Sequence, residues 1–542
     1  MNDAAAVREA ARATPWNPFR HGAFTIMWSA TLLSNIGTWM NDVGAGWLMT
    51  TLAPSPLLVA LVQAATTLPV FLFALPAGAL ADILDRRRLL LLIQLVLALI
   101  ALALGLIVLT GRMTAAGLVA FTFGAGMGAA FMAPAWQAIV PQLVPKADLS
   151  AAIALNSVGI NVSRAIGPAL GGAVIVAMGV AWPFLINAAS FLAVIGALLL
   201  WRPPQQAKKA LPAERFVGAM RTGLRYTRAS SPLKATLARA IAFFLFASAY
   251  WALLPLIARQ RLGGGAELYG ILVACIGGGA VAGALLLPQI RKRVGIDRLV
   301  ALGTVGTVCT LIVFALANEA FLAAGACLIG GVSWIAVLSS LNVSAQMSLP
   351  DWVRARGLSA YNAVFFGAMA LGSLIWGQVA TWFGIPGALL TAAAGALLGI
   401  GLSWRFRLQA GGTLDLAPSS HWPHPIVAED SELNSGPVMV TVEYRIDPAR
   451  VQGFLAAIAE LEGERRRGGA FACGLFRDAA TPGRFLEYFM EDSWSEHLRH
   501  HERVTHADRH LQAHVNQFHV GDEPPRVTHY LPSDVPAPKR SD

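Results

Sequence analysis

The chain has 542 residues, of which 56% are hydrophobic and only 13% charged. Soluble domains carry roughly 25% charged residues, so an ordinary water-soluble globular fold is excluded. The formal net charge of +10 does not indicate nucleic-acid binding, because the cations of the first 410 positions gather in alternate loops between apolar runs.

Residues 1–22 form a charged tail with Arg8, Arg12 and Arg20. They lack a short apolar core and do not read as a cleavable signal. Twelve apolar runs follow, near 24–50, 57–80, 89–109, 114–140, 151–178, 182–201, 237–258, 268–289, 299–317, 320–345, 357–383 and 386–406. Each is long enough to cross a hydrocarbon core of about 30 Å. They predict an all-α membrane protein with two six-helix halves, 23–201 and 237–408, joined by a basic connector at 202–236. Within the connector, Glu214 to Tyr226 is suited to a helix on the membrane surface. One set of loops holds Arg86 to Arg88, Lys146, the connector cations, Arg291 to Arg293, Arg354, Arg356, Arg405 and Arg407. The opposite set holds only Arg112, Arg259 and Arg261. The positive-inside rule therefore places both termini in the cytoplasm.

The first run contains Asp42, the one carboxylate well inside a predicted span. An acid there costs roughly 2.5–3.5 kcal/mol on insertion scales, which makes a functional role the default. Reversible protonation in an ion-coupled carrier is one reading. A helix-packing hydrogen bond, or a position near enough to the outer surface to stay wet, is the other.

Between the second and third runs lies Gly78-Ala-Leu-Ala-Asp82-Ile-Leu-Asp-Arg86-Arg87-Arg88. Gly78 permits close helix approach, and Asp82 is placed to pair with Arg86 or Arg87 across the turn. The stretch resembles the loop 2–3 gating signature of the major facilitator superfamily, with Ile83 at a usually basic position and Asp85 at a usual glycine. In the fifth run, Gly167-Pro168-Ala-Leu-Gly171-Gly172 resembles the antiporter motif of exporters in that superfamily. Pro168 removes a helical hydrogen bond and the glycines offer a smooth packing face. Packing does not account for Arg164 one turn earlier. Binding an anionic substrate and pairing with Asp42 are both open to it.

The halves repeat each other. Gln137 to Pro141 ends the fourth run and Gln346 to Pro350 the tenth; Leu149-Ser-Ala or Leu358-Ser-Ala follows, then Asn156 or Asn362. Gly167 and Gly172 then correspond to Gly372 and Gly377. This is a parallel repeat. Asn35, Trp39, Trp136, Gln137, Tyr250, Trp251, Trp334 and Asn362 are candidate cavity residues, because aromatic faces with a few amides suit bulky, partly apolar molecules. For each, a packing role is the competing reading. Cys275, Cys309, Cys327 and Cys473 show neither disulfide nor metal-ligand spacing.

After a Gly/Pro-rich linker at 409–436, residues 437–531 read as a soluble domain, followed by a short tail at 532–542. The predicted order is strand Val438 to Ile446, helix Pro448 to Arg467, strands Ala470 to Phe476 and Phe485 to Met490, a long helix Ser495 to Phe518, and strand Arg526 to Leu531. That βαββαβ order is the pattern of a ferredoxin-like α+β domain. The region is similar to the antibiotic-biosynthesis monooxygenases, which implies pairing into a homodimer. Their Asn–Trp–His active-site set is incomplete here: Trp494 and later histidines are present, but Val438 to Ile446 contains no Asn. His506, His510 and His514 share a helix face, yet no carboxylate or cysteine completes a metal site. No metal and no cofactor are expected.

Ala133-Pro-Ala through Pro145 and Trp494-Ser-Glu-His497-Leu-Arg499 are also similar to the enterobactin-exporter-like branch of the superfamily. The resemblance implies a multi-pass protein of the bacterial inner membrane, a proton-coupled exporter of small molecules such as siderophores, drugs or secondary metabolites. Its partners would be that substrate, protons and the bilayer, with no nucleic acid. A membrane-anchored oxygenase, an importer and a sensor are the alternatives. A Gly-x-x-x-x-Gly-Lys-Ser/Thr loop is absent from the sequence, which argues against ATP-driven transport.

Overall fold

The computed structural model describes residues 15–201, 216–350, 352–409, 436–521 and 523–532, together with 415, 419 and 422. The expected N-terminal tail up to residue 14, the connector from 202 to 215, most of the linker and the end of the chain lie outside the described residues. The chain divides into two compact units. The first comprises 1–212, 236–342 and 361–408; the second comprises 213–235, 343–360 and 409–542.

The first six long helices are α1 (Gly22–Leu52), α2 (Pro56–Ile83), α3 (Arg86–Leu109), α4 (Ala115–Leu143), α5 (Leu149–Met178) and α6 (Trp182–Leu200). A short helix, α7 (Phe216–Ala229), precedes α8 (Ser231–Leu256), α9 (Ala266–Val294), α10 (Ile296–Leu316), α11 (Ala320–Met347) and α12 (Arg354–Ser403). Among the described residues, ten of these helices are long and apolar enough to cross a membrane. The 31-residue α1, which carries Asp42, is not among the ten. The predicted eleventh and twelfth runs form one 50-residue assignment, interrupted at Gly384, where φ is 73°. Only glycine adopts that conformation readily, and Pro386 follows to start the next segment.

Local chemistry sets the helix ends. Pro56 begins α2 at a position where its missing N–H is no loss. The Asp85 carboxylate accepts from the Arg88 N–H to cap α3, and the Thr114 hydroxyl accepts from Gly117 to cap α4. Inside the helices, hydroxyls of Thr31, Thr66 and Ser163 donate to carbonyls four residues back. Hydroxyls satisfied within their own helix are not left unpaired in an apolar surrounding. α5 packs against α1 and α9, α2 against α4, and α6 against α1 and α3.

In the second unit, strands β1 (Val438–Arg445), β2 (Ala472–Arg477), β3 (Arg484–Glu491) and β4 (Arg526–Tyr530) form one antiparallel sheet in the order β2-β3-β1-β4. Val440 pairs with both Phe489 and His529, which fixes the register on either side of β1. Helix α13 (Val451–Gly468) lays Phe454, Ile458 and Leu461 against Val440, Val442 and Phe489. The single long helix expected over 495–518 is instead two, α14 (Trp494–Arg503) and α15 (His506–Asn516). Thr505 causes the break: its hydroxyl caps the N–H of Asp508, whose carboxylate accepts from the Thr505 N–H in return.

This sheet domain is fastened to α7 and to the segment after α11. The Arg225 guanidinium donates to Asp492 Oδ2 at 3.0 Å and to the Gly469 carbonyl at 3.1 Å. Arg503 lies 4.5 Å over the Trp352 ring, and Trp352 meets Tyr226 edge-on. The Tyr226 hydroxyl donates to the Ser348 carbonyl at 2.9 Å. Burial pushes that phenol up to about 12, so it remains a donor throughout the physiological range.

Candidate functional site

Arg164 and aromatic residues of four helices form the candidate site. Arg164, on α5, places its guanidinium 5.6 Å from the ring centre of Trp39 on α1, a cation–π contact. The Tyr250 phenol of α8 lies near Arg164. The Tyr250 ring lies 5.5 Å from Trp251, and Trp251 lies 5.4 Å from Trp334 of α11. Phe244 meets Trp334 at 5.4 Å and Phe365 of α12 at 4.4 Å. The Arg164 Nε–H, the Tyr250 hydroxyl and the Trp251 indole N–H are all buried without a well-aligned hydrogen-bond partner in the protein. The indole and the hydroxyl are neighbours, but their alignment satisfies neither. Buried donors are almost always satisfied, so a group left open within the spans points to a ligand. Donors beside aromatic walls can hold an acceptor-rich molecule with flat or apolar parts.

Other predicted cavity residues stand apart. Trp136 packs against the core of the first half, a structural role. Gln137 and Asn362 are exposed and Asn35 is half-buried; among the described residues, no aromatic or ionic contact joins them to Arg164. Tyr361 is fully buried with its hydroxyl unpartnered.

Asp42 is half-buried on α1. Its side-chain partner is Asn41, and its charge reaches the Tyr269 hydroxyl of α9. A Cβ at Gly46 would stand 2.8 Å from that hydroxyl, so glycine one turn beyond Asp42 makes room for it. Trp47 stacks on Tyr269 at 6.5 Å; Arg259 covers Trp47 at 5.6 Å and donates to Thr50 at 3.0 Å. Among the described residues no ion pair joins Asp42 to Arg164. The pairing weighed from sequence is absent because Arg164 turns to Trp39 while Asp42 faces α9.

The glycine motif forms a seam between helix backbones. A Cβ on Gly167 would meet Trp39 of α1 at 2.6 Å, and one on Gly172 would meet the Ala266 carbonyl of α9 at 2.7 Å. From the other side, Gly277 of α9 faces the Arg164 carbonyl at 2.6 Å. The repeat-related glycines do the equivalent: Gly372 abuts Leu245 and Ser248 of α8, and Gly377 faces Ala60 of α2 at 2.6 Å. Gly172 and Gly377 thus close on the starts of α9 and α2.

In the loop 2–3 stretch, the Asp82 side chain lies outside the described residues. Arg87 donates to the carbonyls of Leu198 at 2.7 Å and Leu199 at 2.9 Å, closing the C-terminus of α6. Among the described residues, no atom lies within 4 Å of where a Gly78 Cβ would be.

The sheet domain holds a second polar cluster. Glu491 is bound by His497 Nδ1 at 2.6 Å and also by His500 Nδ1. Burial alone would raise this carboxyl, but the two imidazoles hold it well below the usual range. Burial would likewise depress His500, yet Glu491 and Glu464 lift it to about 9. His501 is lowered to about 3 by burial and by His497 and His500, and His529 to about 4 by burial and His497. His510 and His514 are exposed on α15, as a solvated polar helix requires.

Comparison with known proteins agrees with this architecture. A family model described as transmembrane secretion effector matches residues 13–537. The chain is 26% identical over 365 residues to the staphyloferrin A transporter of Staphylococcus aureus, covering 66% of this chain and 89% of that one. It is 26% identical over 387 residues to the enterobactin exporter EntS of Citrobacter koseri, covering 70% and 89% respectively. In fold, it resembles the crystal structure of a mutant nucleoside transporter NupG with a TM-score of 0.60 at 12% identity, over 71% of this chain and 99% of that one.

Proposed function

The chain belongs to the transmembrane secretion effector family of the major facilitator superfamily, and from that premise we propose that it exports an anionic, oxygen-rich small molecule of the siderophore class in exchange for protons. It is a multi-pass bacterial membrane transporter and not an enzyme. The observation that carries the substrate reading is the group of unpartnered donors on Arg164, Tyr250 and Trp251 beside Trp39 and Trp334. The names of the staphyloferrin A and enterobactin relatives point the same way. Binding is read directly by quenching of tryptophan fluorescence in the purified protein. A carboxylate- or catecholate-bearing ligand should bind at least about tenfold more tightly than its neutral ester, since a hydrogen bond to a charged group contributes roughly 1.5–3 kcal/mol. Equal binding of acid and ester would remove the anion from the proposal.

The membrane part is read as twelve spans in two halves. Its support is α1 with its spanning length, the Gly384 break in α12, and the matched seams at Gly172 and Gly377. In that count α2 and α9 stand six spans apart, as the parallel repeat requires. The sheet order and antiparallel pairing favour a ferredoxin-like tail domain related in fold to the monooxygenases, without their chemistry. Dimer formation through it rests on that resemblance alone. Both termini are read as cytoplasmic from the loop cations. A cysteine introduced at Gly264 should then react with an impermeant thiol reagent in intact cells, whereas Cys473 should stay unlabelled until the cells are opened. Labelling of Cys473 in intact cells would invert this topology.

A further inference from the structure

Away from the spans, three imidazoles converge in the sheet domain. His497 and His501 are four residues apart on α14 and share one face. Strand β4 brings His529 beside them through its pairing with Val440. One ring nitrogen of each lies within 4.8 Å of those of the other two. The Nε2 atoms of His497 and His501 are only 3.1 Å apart. On a tetrahedral ion with metal–nitrogen bonds of about 2.0–2.1 Å, two ligand nitrogens stand roughly 3.3–3.4 Å from each other. This pair is therefore near ligand spacing already, and His529 closes the set by a small side-chain movement.

The surroundings suit such an ion. Glu491 Oε2, 2.6 Å from His497 Nδ1, holds that nitrogen as the donor and leaves the Nε2 lone pair directed at His501. A carboxylate behind a ligating histidine fixes tautomer and ring orientation and raises ligand basicity. His500 in turn anchors Glu491. Trp494 packs 5.2 Å from His497, and Trp422 meets His501 edge-on at 4.9 Å, restricting both rings. His497 is fully buried, whereas His501 and His529 are half-buried, which gives an entry path.

We propose that His497, His501 and His529 form a three-histidine site for a divalent transition ion of the zinc class, with a fourth position open to an oxygen ligand. An all-imidazole set suits Zn2+, Ni2+, Cu2+ or Fe2+ and disfavours Mg2+ and Ca2+, which take oxygen ligands. The competing arrangement has no metal: His501 donates its Nε2–H to His497 Nε2, and the two share a proton only.

The test uses the full chain, purified in detergent without a polyhistidine tag, stripped with chelator and titrated with Zn2+ against a chromophoric competitor. One ion should bind per chain, and a Co2+-loaded sample should show tetrahedral ligand-field bands. His501→Ala and His529→Ala should each weaken binding by more than about tenfold, and Glu491→Gln by roughly 10–100-fold as an orienting partner. His510→Ala, on the exposed side of α15, should change nothing. Melting of each variant in chelator separates lost binding from lost fold, and His501→Gln replaces any alanine variant that unfolds. Absence of stoichiometric binding, or binding that survives both His501→Ala and His529→Ala in folded protein, overturns the site.

Discussion

Asp42→Asn is expected to abolish accumulation of substrate against a gradient while leaving downhill exchange largely intact. Asp42 sits ten residues before the end of α1 at Leu52, or about 15 Å along the axis at 1.5 Å per residue. With α1 read as a span, that depth is near the middle of a core of about 30 Å, deeper than a carboxylate at the membrane surface. An acid there, with Asn41 and the Tyr269 hydroxyl near it, is what a carrier that takes up a proton on one side and releases it on the other requires. Arg164 is elsewhere in this conformation, so the acid and the proposed anion site are separate stations rather than one ion pair. Asp42→Glu should keep some coupled activity with a displaced pH optimum. Undiminished concentrative transport by Asp42→Asn would make the residue structural and put coupling elsewhere.

Arg164→Gln should weaken binding of an anionic substrate by about 10–100-fold, the equivalent of losing a charge-assisted bond of roughly 1.5–3 kcal/mol. Neutral analogues should be affected far less, so the acid-over-ester preference should vanish. Arg164→Lys keeps the charge but not the planar fork that stacks on Trp39, and should fall between the two. Transport measured under exchange conditions checks that the variant still cycles. An Arg164→Gln protein that retains full preference for the acid would assign the arginine to helix packing.

Much of the membrane architecture was legible because it is written in local composition. Apolar runs gave the helices, and the ordered recurrence of Gly167 and Gly172 as Gly372 and Gly377 marked residues that hold equivalent backbone seams. The site was legible only in part. Arg164 and Asp42 stood out as charges in apolar runs, but which neighbour each faces depends on helix rotation, which the runs do not encode. Arg87 stood out as a cation of the loop 2–3 stretch, but the α6 carbonyls that it caps are more than a hundred residues away in sequence. The break between α14 and α15 had a visible signal in Thr505-x-x-Asp508, outweighed by the polar helical run on either side. His529 joins His497 and His501 through strand pairing, so helix spacing pointed instead to His506, His510 and His514.

Under the proposed function a proton gradient drives export through the membrane part, which is read by uptake of a labelled siderophore-class anion into inside-out vesicles with an acid interior and no ATP. Accumulation above the external concentration is expected, with collapse on adding a protonophore and loss of accumulation with Asp42→Asn. Uptake that only equilibrates, or that is indifferent to the pH gradient, would rule out proton-driven export.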